Sequence, residues 1–181
     1  MQKTVRALAI ICFILCISGM SDAAADYDHT IDLGKISFAW AVEGDVMNVR
    51  LAAKTTGWVG IGFNPSKKMQ DANFIIGYVK KGKVKIADHF GTTTLKHKAD
   101  TRIGGNNDLT NIAGTEEKGV TEIAFTIPLD SGDAKDSAIG ADGETVVLLA
   151  YGAGRDSFLS KHAFKAVLKV ELATGTFSRV K

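Results

Sequence analysis

Short runs in which apolar and polar residues alternate recur along most of the chain. They cover Ile36 to Val42, Val46 to Thr55, Trp58 to Phe63, Ala72 to Lys80, Lys83 to His89, Val120 to Pro128, Val146 to Tyr151 and Lys165 to Leu172. A period of two is that of a half-buried strand, whose successive side chains point to opposite faces. Glu43-Gly44-Asp45 and Lys81-Gly82 are short enough to close hairpins. Almost no stretch has helical periodicity, so the pattern predicts an all-β fold, an antiparallel immunoglobulin-like β-sandwich. Proline occurs only at Pro65 and Pro128, glycine punctuates the turns, and no linker or repeat interrupts the pattern. Residues 26–181 are expected to form one domain, long enough for a proper core.

The first 25 residues break the alternation. Lys3 and Arg6 precede an apolar run from Ala7 to Ser18, and Asp22-Ala23-Ala24-Ala25 follows. A basic start, a short apolar run and small residues in A-x-A order are the marks of a Sec-type secretory signal peptide, with cleavage after Ala25. The run is too short for a permanent membrane span. The mature chain is therefore expected in the periplasm or outside the cell, without stable membrane insertion. A lipid anchor on Cys16 is the competing reading, which the bulky Leu15 before it opposes.

Cys12 and Cys16 leave with this leader, so the expected mature chain has no disulfide, no thiolate metal site and no C-x-x-C-H haem attachment. Loss of Lys3, Arg6 and Asp22 lowers the formal net charge from +2 to +1. A nucleic-acid surface needs a clear basic excess, and none is present.

The chain's most distinctive stretch is GWVGIGFNPSKKMQDANFIIGYV, Gly57 to Val79. Val59, Ile61 and Phe63 alternate with Gly60 and Gly62, and two glycines on one strand face suggest that a backbone or a flat ligand approaches there. Asn64-Pro65 ends the strand and Ala72 opens the next, leaving Met69 on a loop among Lys67, Lys68, Gln70 and Asp71. Methionine is ordinarily a core gap-filler, and Met47, alternating with Val49 and Leu51, reads that way. Met69 does not.

This stretch resembles the signature of the DOMON family, in which a Gly-Trp-x-x-x-Gly-Phe strand precedes a short loop, a Met and an Ala-containing strand. Asp88-His89-Phe90, Glu122-Ile123-Ala124-Phe125 and Val146 to Tyr151 with Gly152-Ala153-Gly154 follow the family's order of elements. One departure is Phe125-Thr126-Ile127-Pro128, where related domains often carry an Arg. The family has a β-sandwich fold, some members bind haem b through the Met, and others are thought to bind sugars. The resemblance implies Met69 as one axial ligand and His162, just before the last strand, as the second. Lys161 is its rival, because one relative pairs Met with Lys. Of the other histidines, His29 reads as solvated near the new terminus, His89 ends a strand, and His97 lies in a Lys-rich loop where exposure is the default.

A neutral imidazole is a good donor to iron, and a soft thioether favours the ferrous state. With both axial positions filled, the implied role is non-covalent haem b serving single-electron transfer with a redox partner protein, and not catalysis. Trp58, Phe63, Phe74, Tyr78, Phe90, Tyr151 and Phe158 are candidates to wall the macrocycle, and Lys67, Lys68, Arg155 and Lys161 to meet its propionates. A sugar-binding module would instead present Trp40 or Trp58, and an accessory haem subunit would act only within a larger redox complex. No Ser/His/Asp order, phosphate loop or H-E-x-x-H motif is present.

Overall fold

The computed structural model describes residues 26–140 and 142–180, so the expected leader at 1–25, with Cys12 and Cys16, lies outside the described residues. Twelve strands are formed among them: β1 His29–Asp32, β2 Ile36–Glu43, β3 Val46–Ala53, β4 Val59–Phe63, β5 Asn73–Lys80, β6 Lys83–Thr93, β7 Lys96–Ala99, β8 Thr110–Glu117, β9 Val120–Pro128, β10 Glu144–Gly152, β11 His162–Glu171 and β12 Phe177–Arg179. A single 3₁₀ turn, Asp100–Arg102, follows β7. They build two antiparallel sheets, β1-β2-β3-β9-β8 and β12-β11-β10-β4-β5-β6-β7. This is the expected all-β sandwich.

The alternation works as the sequence predicts. Phe38, Trp40, Met47, Val49 and Leu51 of the five-stranded sheet meet Val59, Ile61, Phe63, Ile75, Val147 and Leu149 of the seven-stranded sheet, and all are buried. The Trp40 indole N–H donates to the Leu172 carbonyl at 2.9 Å, which satisfies the one polar group of a side chain 0% exposed. Met47 fills the core as expected. Trp40 therefore has no face to offer a sugar, and Phe63 lies between the sheets and walls no outer-surface ligand.

Four strands are absent from the sequence pattern: β1, β7, β8 and β12. All four are edge strands. β8 (TNIAGTEE) is exposed along almost its whole length, so backbone bonding to β9 holds it and no apolar stripe marks it. Asn111 at φ 49 sits where the β8 register slips, a bulge that an asparagine tolerates.

Candidate functional site

The two outer faces of the sandwich differ in chemistry. On the five-stranded sheet, the residues turned away from the core include Ser37, Asn48, Arg50, Glu122 and Thr126, the polar outside that an antiparallel sheet normally shows water. On the seven-stranded sheet the same positions hold Trp58, Phe74, Ile76, Tyr78, Leu148, Ala150 and Val167. Phe74, Tyr78, Leu148, Ala150 and Val167 are only half-buried. A half-exposed apolar sheet face of this kind is where a ligand or partner is to be sought.

The glycines of β4 open onto this face, and the chain's own rings occupy the space. A Cβ on Gly62 would lie 2.3 Å from the Phe74 ring, and one on Gly152 would lie 2.3 Å from Trp58 Nε1. The flat groups against the glycines are thus Phe74 and Trp58, which make an aromatic floor.

Met69 sits at one corner of the face. Its loop is clamped to β6, where Asp71 N–H donates to the Gly91 carbonyl at 2.8 Å and Gly91 N–H to the Ala72 carbonyl at 2.9 Å. The Met69 carbonyl stands so close over Gly91 that a Cβ there would be 1.7 Å from it. Only glycine provides that seat. Gly91 pairs across the sheet with His97, and His97 reaches His89, with Nδ1 to Nδ1 at 2.7 Å. One ring nitrogen donates and the other accepts.

His97 corrects the expectation of an exposed loop position, because it lies on strand β7 and packs against His89. His89 is 8% exposed and His97 half-buried, with Phe74 5.6 Å from His97 and Phe158 edge-on to His89 at 5.7 Å between ring centres. Burial, then the neighbouring His97 and Arg102, lowers the His89 pKa to about 4, and burial lowers that of His97. Both rings are neutral at pH 7, and the ring that donates through Nδ1 keeps a free lone pair on Nε2, while the ring that accepts has its lone pair engaged. The available sequence signal was the row Ala87, His89, Gly91, which alternates onto the apolar face.

His162 opens β11 opposite Gly152 and is exposed. The segment from Ala153 to Lys161 crosses the apolar face before it. Phe158 packs on Tyr78 at 5.0 Å, and Ser160 receives the Trp58 indole N–H on Oγ at 2.9 Å and on its carbonyl at 3.2 Å. Trp58 is consequently buried as well and offers no sugar platform. Lys161, Arg155, Lys67 and Lys68 are all exposed. From β6 to β11 there are four inter-strand steps, and from the level of Gly91 to that of His162 about six residues. At ~4.8 Å per step and ~3.3 Å per residue, the Met69 seat on Gly91 and His162 stand roughly 28 Å apart at opposite corners. The structure places Met69 at the corner of His89 and His97, and does not bring it to His162.

The sequence profile of the DOMON domain matches residues 32–152. This chain belongs to the DOMON family. The matched span contains Met69, His89 and His97 and stops short of His162. Curated relatives include human DBH-like monooxygenase protein 1, 30% identical over 118 residues, which are 65% of this chain and 18% of that protein. Its mouse counterpart is 26% identical over 147 residues, 80% of this chain and 23% of that protein. This DOMON chain spans less than a quarter of the length of those relatives. Among solved structures, the cytochrome b domain of pyranose dehydrogenase from Coprinopsis cinerea aligns with a TM-score of 0.59 at 16% identity, covering 77% of this chain and 78% of that one. The cytochrome domain of Myriococcum thermophilum cellobiose dehydrogenase aligns at 0.55 with 10% identity, covering 77% and 79%. At such identities the likeness establishes a shared fold.

Proposed function

We propose that this DOMON domain is an exported b-type cytochrome that holds haem b on the outer face of its seven-stranded sheet and exchanges single electrons with a redox partner protein. The apolar character of that face, in a sandwich whose other face is polar, carries the reading. The residues present suit a macrocycle. The half-exposed Phe74 ring covers Gly62 of β4, the Met69 loop is seated over Gly91 at one corner, and the neutral His89–His97 pair lies beside it. A bound haem b would supply a one-electron ferric/ferrous couple, and the thioether would raise its potential. Lys85 reaches over Tyr78 and Phe158 at 5.9 and 5.6 Å, and places a cation at the rim where propionates would lie.

Met69 and His162 are the residues proposed to hold the haem iron. For His162 to join Met69, the start of β11 would have to unpair from Gly152 and the segment from Ala153 to Lys161 to release Phe158 from Tyr78 and His89. A second pairing, of Met69 with His89, is favoured by their common corner and by the depressed His89 pKa. An accessory role within a larger redox assembly is compatible with either. The spectrum of haemin-reconstituted protein tests the proposal. Met69→Ala should keep the haem and lower its potential, and His162→Ala should give high-spin haem or lose it. Low-spin haem kept by His162→Ala and lost by His89→Ala would transfer the second ligand to His89. The absence of any Soret band in the reconstituted wild type would end the cytochrome reading.

A further inference from the structure

On the inner side of β5 and β6, one residue away from Phe74 and His89, the chain collects oxygen atoms that nothing satisfies. Asp88 lies on β6, Asp100 in the 3₁₀ turn, Asp108 before β8 and Asp136 in the connection from β9 to β10. Ligand oxygens of Asp88, Asp108 and Asp136 all fall within 4.8 Å of one another. That spacing is what oxygens around one Ca²⁺ require, each at ~2.4 Å from the ion.

Two further observations point to a ligand. Asp100 is 1% exposed, and neither of its carboxylate oxygens has a hydrogen-bond partner. Asn73, 3% exposed, stands on β5 one diagonal step from Asp88 on the same inner face, and its Oδ1 is also unpartnered. A buried carboxylate can relieve its own charge by taking a proton, but an amide oxygen cannot, and it needs a donor or a cation.

We propose that Asn73, Asp88, Asp100, Asp108 and Asp136 form a Ca²⁺ site at the end of the sandwich core. The unpartnered atoms are Asn73 Oδ1, Asp88 Oδ1, both oxygens of Asp100, Asp108 Oδ2 and Asp136 Oδ1. The Asp88, Asp108 and Asp136 oxygens are already within reach of one ion, and with Asn73 and a bidentate Asp100 turned onto it the set would number six, the lower end of the coordination Ca²⁺ takes. The set contains no nitrogen or sulfur donor, which disfavours zinc and copper. Three of the four carboxylates come from connections outside the strands, which suits the flexible geometry of Ca²⁺ better than the strict octahedron of Mg²⁺. No lysine or arginine neutralises the group: among the described residues the one ion pair is Lys169 with Glu144, on the opposite edge of the fold. Other contacts fix the carboxylates in place. Ser131 Oγ donates to Asp136 Oδ2 at 2.6 Å, and the Asp108 N–H donates to Asp88 Oδ2 at 3.3 Å. Burial raises the pKa of Asp88 to about 7 and that of Asp100 to about 8, with neighbouring carboxylates adding to each shift. The ionised cluster lacks a counter-charge, which a divalent cation supplies.

The test uses the mature chain stripped with EDTA and titrated with CaCl₂, followed by calorimetry and thermal melting. One Ca²⁺ should bind per chain. At a hundredfold excess over Kd the melting temperature should rise by roughly 5–10 °C, and MgCl₂ should do far less. Asp100→Asn and Asp136→Asn should each weaken Ca²⁺ binding at least ~10-fold, the minimum for a lost charged ligand. In Ca²⁺-free buffer both variants should melt at or above the wild-type temperature, because a neutral amide removes one member of a crowded set of buried carboxylates that raise one another's pKa. No heat and no melting shift up to ~10 mM Ca²⁺, beyond the range of weak extracellular sites, would overturn the proposal. So would Asn variants that melt lower than wild type by the same amount with and without Ca²⁺, because the carboxylates would then be hydrogen-bonding groups alone.

Discussion

Replacing Gly91 with Ala tests the seat of Met69 directly. The new methyl would lie 1.7 Å from the Met69 carbonyl oxygen, and that oxygen would have to retreat by about 1.3 Å merely to reach 3.0 Å. The methyl cannot turn aside, because a Cβ has no rotamer. The obstacle is backbone held by two hydrogen bonds, Asp71 N–H to Gly91 O and Gly91 N–H to Ala72 O, at 2.8 and 2.9 Å. Each is worth ~0.5–1.5 kcal/mol net, so their loss costs roughly 1–3 kcal/mol and lowers the melting temperature by ~2–10 °C for a domain of this size. Displacing the loop also withdraws the thioether, so a haem-loaded Gly91→Ala protein should show the lowered potential of Met69→Ala. Circular-dichroism melts and potentiometry read the two effects. Unchanged melting together with an unchanged potential would refute the seating of Met69 on β6.

Two further substitutions probe the scaffold and the crossing segment. Phe38→Ala removes a fully buried ring stacked 4.5 Å from Trp40 and should cost ~3–5 kcal/mol, read as a fall in denaturant midpoint at constant slope; a cost under ~1 kcal/mol would contradict its place in the core. Trp58→Phe keeps the apolar bulk and removes both hydrogen bonds to Ser160, so trypsin should cut faster at the exposed Arg155 and Lys161; unaltered cleavage would mean that Phe158 alone holds the segment.

The strands with buried apolar stripes were legible in the sequence, and those without were not. β2, β3, β4, β5 and β9 show their alternation because every second side chain enters the core. β7 reads KHKA and β8 reads TNIAGTEE, and neither has a stripe to read, because only backbone pairing to a neighbour makes them strands. Met69 stands out in the sequence by its polar flanks, and its place over Gly91 comes from the fold. The His89–His97 contact was not, since it depends on the register of β6 with β7, including a slip between Gly91 and Thr93 that no local pattern encodes. Asp88 on a strand and Asp100, Asp108 and Asp136 in three separate connections carry no shared pattern in the sequence. Only the closed sandwich reveals that they share one buried volume.

The pleat of β5 and β6 sets the two proposed sites back to back. Phe74 and His89 point to the outer face and Asn73 and Asp88 to the inner one, so neighbouring residues on each strand serve opposite sides of the same sheet. A cation that fixes Asn73 and Asp88 would hold the backbone carrying Phe74 and His89, leaving less of it to be ordered when a ligand lands on the outer face. Coupling of this kind is reciprocal: any factor by which Ca²⁺ tightens haem binding must equal the factor by which haem tightens Ca²⁺ binding. Haem titrations with and without Ca²⁺, and Ca²⁺ titrations of apo and haem-loaded protein, should therefore both move by the same factor, in the range of ~5–150 typical of such coupling. Equal haem affinities with and without Ca²⁺ would show that the sheet insulates its two faces, and would leave the cation a purely structural clamp between β6 and the loops at the end of the sandwich.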